Sequence, residues 1–217
     1  NPSTAEARIR AITDGRQLAV RIAWADPAQN DLPGAGRFCD ACAIQLPAKA
    51  EPTVPAPQMG EAGRPVEITY WSAAWQATVD GRGDTIQDIY PRANVDYYPF
   101  ESRPLESDPD AKHAMEARYA PARALHNLMA GPRQTPVQDL IAEGPGSLAP
   151  AADASSTGQG RRTKDGWTVL ISRRLPAGMT ASAGTQVAFA VWDGGQDEVA
   201  SRKMRTGWIP LMLQERR

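Results

Sequence analysis

The chain has 217 residues, 41% hydrophobic and 23% charged, with a net charge of −1, which suits one globular domain, or one domain with a large insertion. That balance argues against a general nucleic-acid or anionic-membrane surface, and no stretch approaches the roughly 20 apolar residues that span a bilayer. Nineteen prolines and eighteen glycines, without heptads or internal repeats, imply many short elements joined by turns. A start at Asn1 fits a processed secretory protein and leaves the compartment open.

In chain order, Ala7, Ile9 and Ala11 alternate with charged neighbours, Leu18, Val20, Ile22 and Trp24 alternate after them, and Asp14-Gly15 between the runs predicts a hairpin. Residues 26–37 read as a loop, 38–46 as a strand stopped by Pro47, and 48–64 as a Pro-rich loop that cannot pair regularly. Residues 66–75 predict a further strand, with Val66, Ile68 and Tyr70 on one face. From about 79 to 150 the chain reads as an insertion, irregular at first. A helix is expected in the first part of 111–130, and a short second one opens at Thr135 as N-cap with Pro136 at its first position and Gly144 as its stop. Residues 144–160 read as an exposed polar loop. Strand signals return at 167–172 and 187–194, and Trp208 to Leu213 forms a hairpin-like unit with the latter; Lys203 lies in the connecting loop. Strands, insertion, strands: the pattern favours a mainly β protein, a β-sandwich carrying an irregular and helical insertion within a single domain.

Few residues carry obvious chemistry. Cys39 and Cys42 lack the histidine that covalent haem attachment wants after the second cysteine, since Ala43 follows. Two residues three apart in a strand point to opposite faces, so the pair reads as small packing side chains and not a disulfide. His113 and His126 are too few for a zinc site, and Arg82-Gly83-Asp84 reads as a turn. No phosphate loop, Gly-x-Ser-x-Gly elbow or His-Glu-x-x-His is present. Met59, at the end of the Pro-rich loop, and Lys203 would on composition alone be a gap filler and a solvated lysine.

Five stretches change that weighting: Phe38-Cys-Asp-Ala-Cys-Ala-Ile-Gln-Leu-Pro47; Gln58-Met-Gly-Glu-Ala-Gly-Arg-Pro-Val66 with Tyr70-Trp71; Tyr119-Ala-Pro-Ala-Arg-Ala-Leu-His-Asn127; Gly166-Trp-Thr-Val169 with Ser172-Arg173 and Leu175; and Val187-Ala-Phe-Ala-Val-Trp-Asp-Gly194 with Arg202-Lys203 and Trp208. Together and in this order they resemble the haem b-binding γ subunit of periplasmic molybdoenzymes of the type II DMSO-reductase family, shared by ethylbenzene dehydrogenase, dimethylsulfide dehydrogenase, chlorate reductase and selenate reductase. The resemblance implies an immunoglobulin-like β-sandwich related to the cytochrome domain of cellobiose dehydrogenase. It also implies one haem b held by a methionine and a lysine, and a periplasmic location. The partners it implies are a molybdenum catalytic α subunit, an iron–sulfur β subunit and a soluble carrier such as a c-type cytochrome. Leu46, where phenylalanine is commoner, and Met204 after the lysine depart from the pattern without removing a ligand.

A haem without thioether bonds needs axial ligands, an apolar slot and partners for two propionates. A methionine sulfur favours the ferrous iron, and a lysine ligates only as its neutral amine, which Arg202 and Arg205 nearby would favour. Met59 is the preferred sulfur, with Met115 and Met129 as alternatives; Lys203 is the preferred amine, with Lys164 second. Gly60 would let the backbone approach the macrocycle, and Arg64, Tyr97, Arg123 and Asn127 are candidate propionate partners. Two protein ligands would make the role electron transfer and not catalysis. The competing expectation is a carbohydrate-binding or interaction sandwich without haem, resting on surface tryptophans.

Overall fold

The computed structural model describes residues 2–83, 85–94, 107–119, 125, 133–180 and 184–213. The first hairpin forms where the sequence places it, β1 (Ala7–Thr13) against β2 (Gln17–Ala25). Its turn is closed by Asp14 Oδ1, which accepts the amides of Arg16 at 2.8 Å and Gln17 at 2.7 Å, while Gly15 takes the positive φ of 88° that the turn requires. Strand β2 then alternates, with Leu18, Val20, Ile22 and Trp24 buried.

Two antiparallel sheets result. One runs β1-β2-β8-β7, with β7 at Thr157–Thr163 and β8 at Gly166–Arg174. The other runs β10-β9-β3-β4-β5-β6, with β3 at Ala41–Pro47, β4 at Val66–Ser72, β5 at Val137–Ala142, β6 at Ala149–Pro150, β9 at Thr185–Trp192 and β10 at Met204–Arg205. β11 (Ile209–Leu211) also pairs with β9, so the two short strands after Lys203 act as one interrupted edge, the hairpin-like unit expected. The sheets pack face to face around Leu18, Ile22, Val169 and Ile171 from one and Ile44, Leu46, Trp71, Phe189 and Val191 from the other. Trp71 meets Trp24 and Trp167 edge-on at 6.3 and 5.2 Å. The molecule is a mainly β sandwich, with helices α1 (Ala73–Val79), α2 (Ile86–Ile89) and α3 (Pro109–Tyr119) between β4 and β5. Among the described residues no helix is long and apolar enough to cross a membrane.

Four local expectations change. The stretch 137–142 is strand β5 and not a helix: it pairs with β4 from Val66↔Ala142 to Trp71↔Val137, and Val137 enters the main core while Leu140 and Ala142 face the other way. Spacing that imitates a helical stripe is here a strand using both faces. Residues 73–75 leave the strand for α1, and 157–160 leave the expected loop for β7. Strand β3 begins at Ala41, so Cys39 precedes it and only Cys42 points into the core; both thiols are free.

Candidate functional site

Period-two alternation that sends Val187, Phe189 and Val191 inward sends Ala188, Ala190 and Trp192 to the outer face of the larger sheet. There they meet Ala43 of β3 and Ile68 and Tyr70 of β4, a second apolar cluster, so this sheet is apolar on both sides. Ala190 lies opposite Ala43, and Ala43 opposite Tyr70, giving a floor of methyl groups with an aromatic wall. Tyr70 packs edge-on against Trp75 and against Trp192, 5.3 Å from each, and the Arg133 guanidinium lies 3.9 Å over Trp75. Burial drives the Tyr70 hydroxyl strongly upward, so it stays protonated.

Lys203 reaches this face because Met204 pairs with Val191, which sets the residue before it beside Trp192. Its Nζ lies 5.2 Å from the Trp192 ring centroid and donates to the Ala200 carbonyl at 2.9 Å, which Trp192 Nε1 also meets at 3.1 Å. Burial lowers the ammonium pKa, and the neighbouring Arg205 lowers it further. Both effects act in the direction of the neutral amine that a metal would need.

Met59 occupies the same face at its other end. It takes a positive φ of 69° in the turn before β4, its carbonyl accepts the Gly144 amide at 2.8 Å, and its side chain packs on the Val66 and Ala142 patch. Gly60 has φ of 79°, and a Cβ there would lie 2.9 Å from the Ala142 carbonyl and 3.0 Å from that of Arg64. Its own backbone neighbours account for the glycine, without a macrocycle. Arg64 pairs with Glu61 and donates to the Thr53 carbonyl, stitching this loop to itself. Trp192 pairs with Ala41 and Val66 pairs with Pro47, so six residues of β3, roughly 20 Å, separate the two ends of the face. The Pro57 carbonyl accepts Gln45 Nε2 at 3.0 Å and the Pro55 carbonyl accepts Trp208 Nε1 at 2.7 Å, so the loop that carries Met59 lies against this face, and Met59 and Trp192 pack on one apolar cluster. Met115 is half-buried on α3. Asn127, Met129, Tyr97 and Arg123 lie outside the described residues.

A porphyrin fits the residues at the Lys203 end. An apolar floor of small side chains, aromatic edges, a half-buried lysine amine and the guanidinium groups of Arg133 and Arg205 are the components such a group needs. Tyr70, Trp75 and Trp192 were not named as site residues from the sequence, although Tyr70 and Trp192 lie in the matching stretches and the alternation Ala188, Ala190, Trp192 carried the signal.

A family model described as ethylbenzene dehydrogenase matches residues 2–204. The chain is also similar to a putative respiratory nitrate reductase heme subunit of Haloferax mediterranei, 23% identical over 208 residues, covering 93% of this chain and 53% of that protein. It therefore spans about half the length of that relative. With the match running over nearly its whole length and a two-sheet sandwich beneath it, the chain belongs to the ethylbenzene dehydrogenase family.

Proposed function

We propose that this chain is the haem-bearing electron-transfer subunit of a molybdoenzyme complex, with one haem b seated on the outer face of the larger sheet. The reading is carried by Lys203, a half-buried lysine whose amine lies over Trp192 at the edge of an apolar face. Family membership and the heme-subunit name of the relative support it. Bound there, haem b supplies a one-electron iron couple. Lys203 offers the amine lone pair, Trp192 and Tyr70 exclude water, and Arg133 and Arg205 offer positive charge to propionates. Two protein ligands leave no place for a reactant, so the chain relays electrons.

The sulfur ligand we assign is Met59, which packs on the same apolar cluster as Trp192, with Met115 on α3 as the alternative. The partners we infer are a molybdenum catalytic subunit, an iron–sulfur subunit and a soluble carrier, in the periplasm. The competing sugar-binding reading needs exposed tryptophans, and all six are buried or half-buried.

Absorption spectra of the purified, haem-supplied chain test this. A Soret band with sharp reduced α and β bands is expected. Lys203→Ala and Met59→Ala should each lose the six-coordinate low-spin spectrum while Met115→Ala keeps it. A correctly folded, colourless protein overturns the haem reading; loss in Met115→Ala with retention in Met59→Ala overturns the sulfur assignment alone.

A further inference from the structure

The end of the sandwich from which the Lys203 segment departs holds a feature that electron transfer does not use. Asp26 follows β2, Asp40 precedes β3 and Asp193 follows β9, so three strand ends from both sheets converge there. All three residues are buried, and one carboxylate oxygen from each lies within 4.8 Å of the others.

Their hydrogen bonds leave acceptors over. Asp40 Oδ1 accepts the Gly194 amide at 2.9 Å, and its Oδ2 accepts the Asn30 amide at 2.8 Å and Trp167 Nε1 at 2.9 Å. Asp193 Oδ1 accepts the Gly195 amide at 2.9 Å. Asp26 Oδ1 accepts the Ala28 amide at 3.0 Å, but its Oδ2 is buried with no partner, in a side chain only 2% exposed. Asn30 Oδ1 is a second buried, unpartnered oxygen. A Cβ on Gly195 would sit 3.2 Å from it and 3.1 Å from Asp193 Oδ1, so these two oxygens flank one spot.

The charge is equally unbalanced. None of the ion pairs among the described residues involves these carboxylates, and Arg162 donates to the backbone carbonyl of Asp26, not to its side chain. Glu198, also buried, adds a fourth acid behind the cluster by accepting the Asp193 amide at 2.9 Å. Buried carboxylates without basic partners are stabilised by protons or by a metal, and a set made only of oxygen donors selects a hard cation.

We propose that Asp26, Asp40, Asp193 and Asn30 form a calcium-type divalent cation site that clamps the ends of β2, β3 and β9 together. Calcium accepts 6–8 oxygens in loose geometry, so carboxylates already engaged with amides remain usable, whereas magnesium demands a near-ideal octahedron and keeps its water. The clamp fixes the Gly194–Gln196 3₁₀ turn, three residues upstream of which Val191 enters the core and a few residues downstream of which Ala200 holds Lys203. The site stands whether or not haem binds.

Terbium luminescence and melting of the purified full chain test it. Trp167 touches Asp40, so bound terbium should emit on tryptophan excitation, and calcium should displace it far better than equimolar magnesium. Calcium at about 100 times its Kd should raise the melting temperature by roughly 5–10 °C over the chelated protein. Asp193→Asn should lose both the emission and the calcium-dependent part of the melting temperature. Should that variant fail to fold, Asn30→Ala, which keeps every carboxylate, should shift the calcium titration to higher concentration. No terbium emission, equal melting in calcium and chelator, magnesium displacing terbium as well as calcium, or an Asp26→Asn variant that melts higher regardless of calcium each overturns the proposal.

Discussion

Asp40 carries three hydrogen-bond donors on its carboxylate, and yet burial outweighs them and pushes its pKa up to about 6, with Asp26 adding to the rise. A carboxyl that holds its proton more tightly folded than unfolded stabilises the fold when protonated. That contribution is complete below the ordinary value near 4 and is lost as pH rises through about 6. In chelator, urea unfolding should therefore show stability falling between about pH 4 and 6, and Asp40→Asn should flatten the slope; a wild-type profile without that slope refutes the assignment. Little at this scale was legible in the sequence. Asp26 and Asp40 stand at the two ends of a long loop and Asp193 lies most of the chain further on, so no local spacing announces them, and Lys203 stood out only through the resemblance. What the residues themselves could not reveal is which face of which sheet each side chain joins, since that is set by pairings such as Met204↔Val191.

Strands with one clean apolar face were readable, and strands that depart from that pattern were not. The β1–β2 hairpin follows from alternation and Asp14-Gly15. Strand β5 was hidden because Thr135-Pro136 and Gly144 imitate helix caps, while its apolar residues serve both faces of the sheet. Strand β7, Thr-Gly-Gln-Gly-Arg-Arg-Thr, has almost no apolar signal because it is an edge strand whose glycines make room for its neighbours. A Cβ on Gly160 would lie 2.1 Å from Trp71 Cζ2, and one on Gly158 would lie 2.3 Å from Val137 Cγ1. Trp71 cannot yield easily, being wedged between Trp24 and Trp167 with its Nε1 donating to Gln76 Oε1 at 3.2 Å. The same Gln76 oxygen accepts the Gly160 amide at 2.7 Å, so displacing β7 breaks that bond too. Gly160→Ala should destabilise the fold by about 3 kcal/mol in urea titrations. A change under about 0.5 kcal/mol would mean that Trp71 has a second rotamer to adopt.

Across the whole molecule, the two sheets are joined by more than apolar burial, and the joints sit at opposite ends. The aspartate cluster closes one end; at the other, Arg173 of β8 crosses the interface to Glu67 of β4 and donates to Thr69 Oγ1 at 3.3 Å. Thr69 passes the connection to Asp139 of β5 at 2.7 Å, and Asp139 in turn accepts the amides of Ser155 and Ser156. Burial depresses the Arg173 pKa, opposed by Glu67 and Asp139, yet a guanidinium remains charged at any ordinary pH. Such a group, 5% exposed, persists in a core only where its partners are fixed around it. Removing it strands acceptors on the facing sheet, so Arg173→Ala should cost about 3 kcal/mol, the low end for a broken buried pair because Glu67 keeps some water. Glu67→Gln should cost less, and the double variant less than the sum of the two, since both act on one joint. Because the joint is buried, 1 M salt should not reproduce the loss in the wild type. Strict additivity in that cycle would show that Arg173 acts through packing of its aliphatic stem alone, and that only the aspartate end ties the sheets by polar contacts.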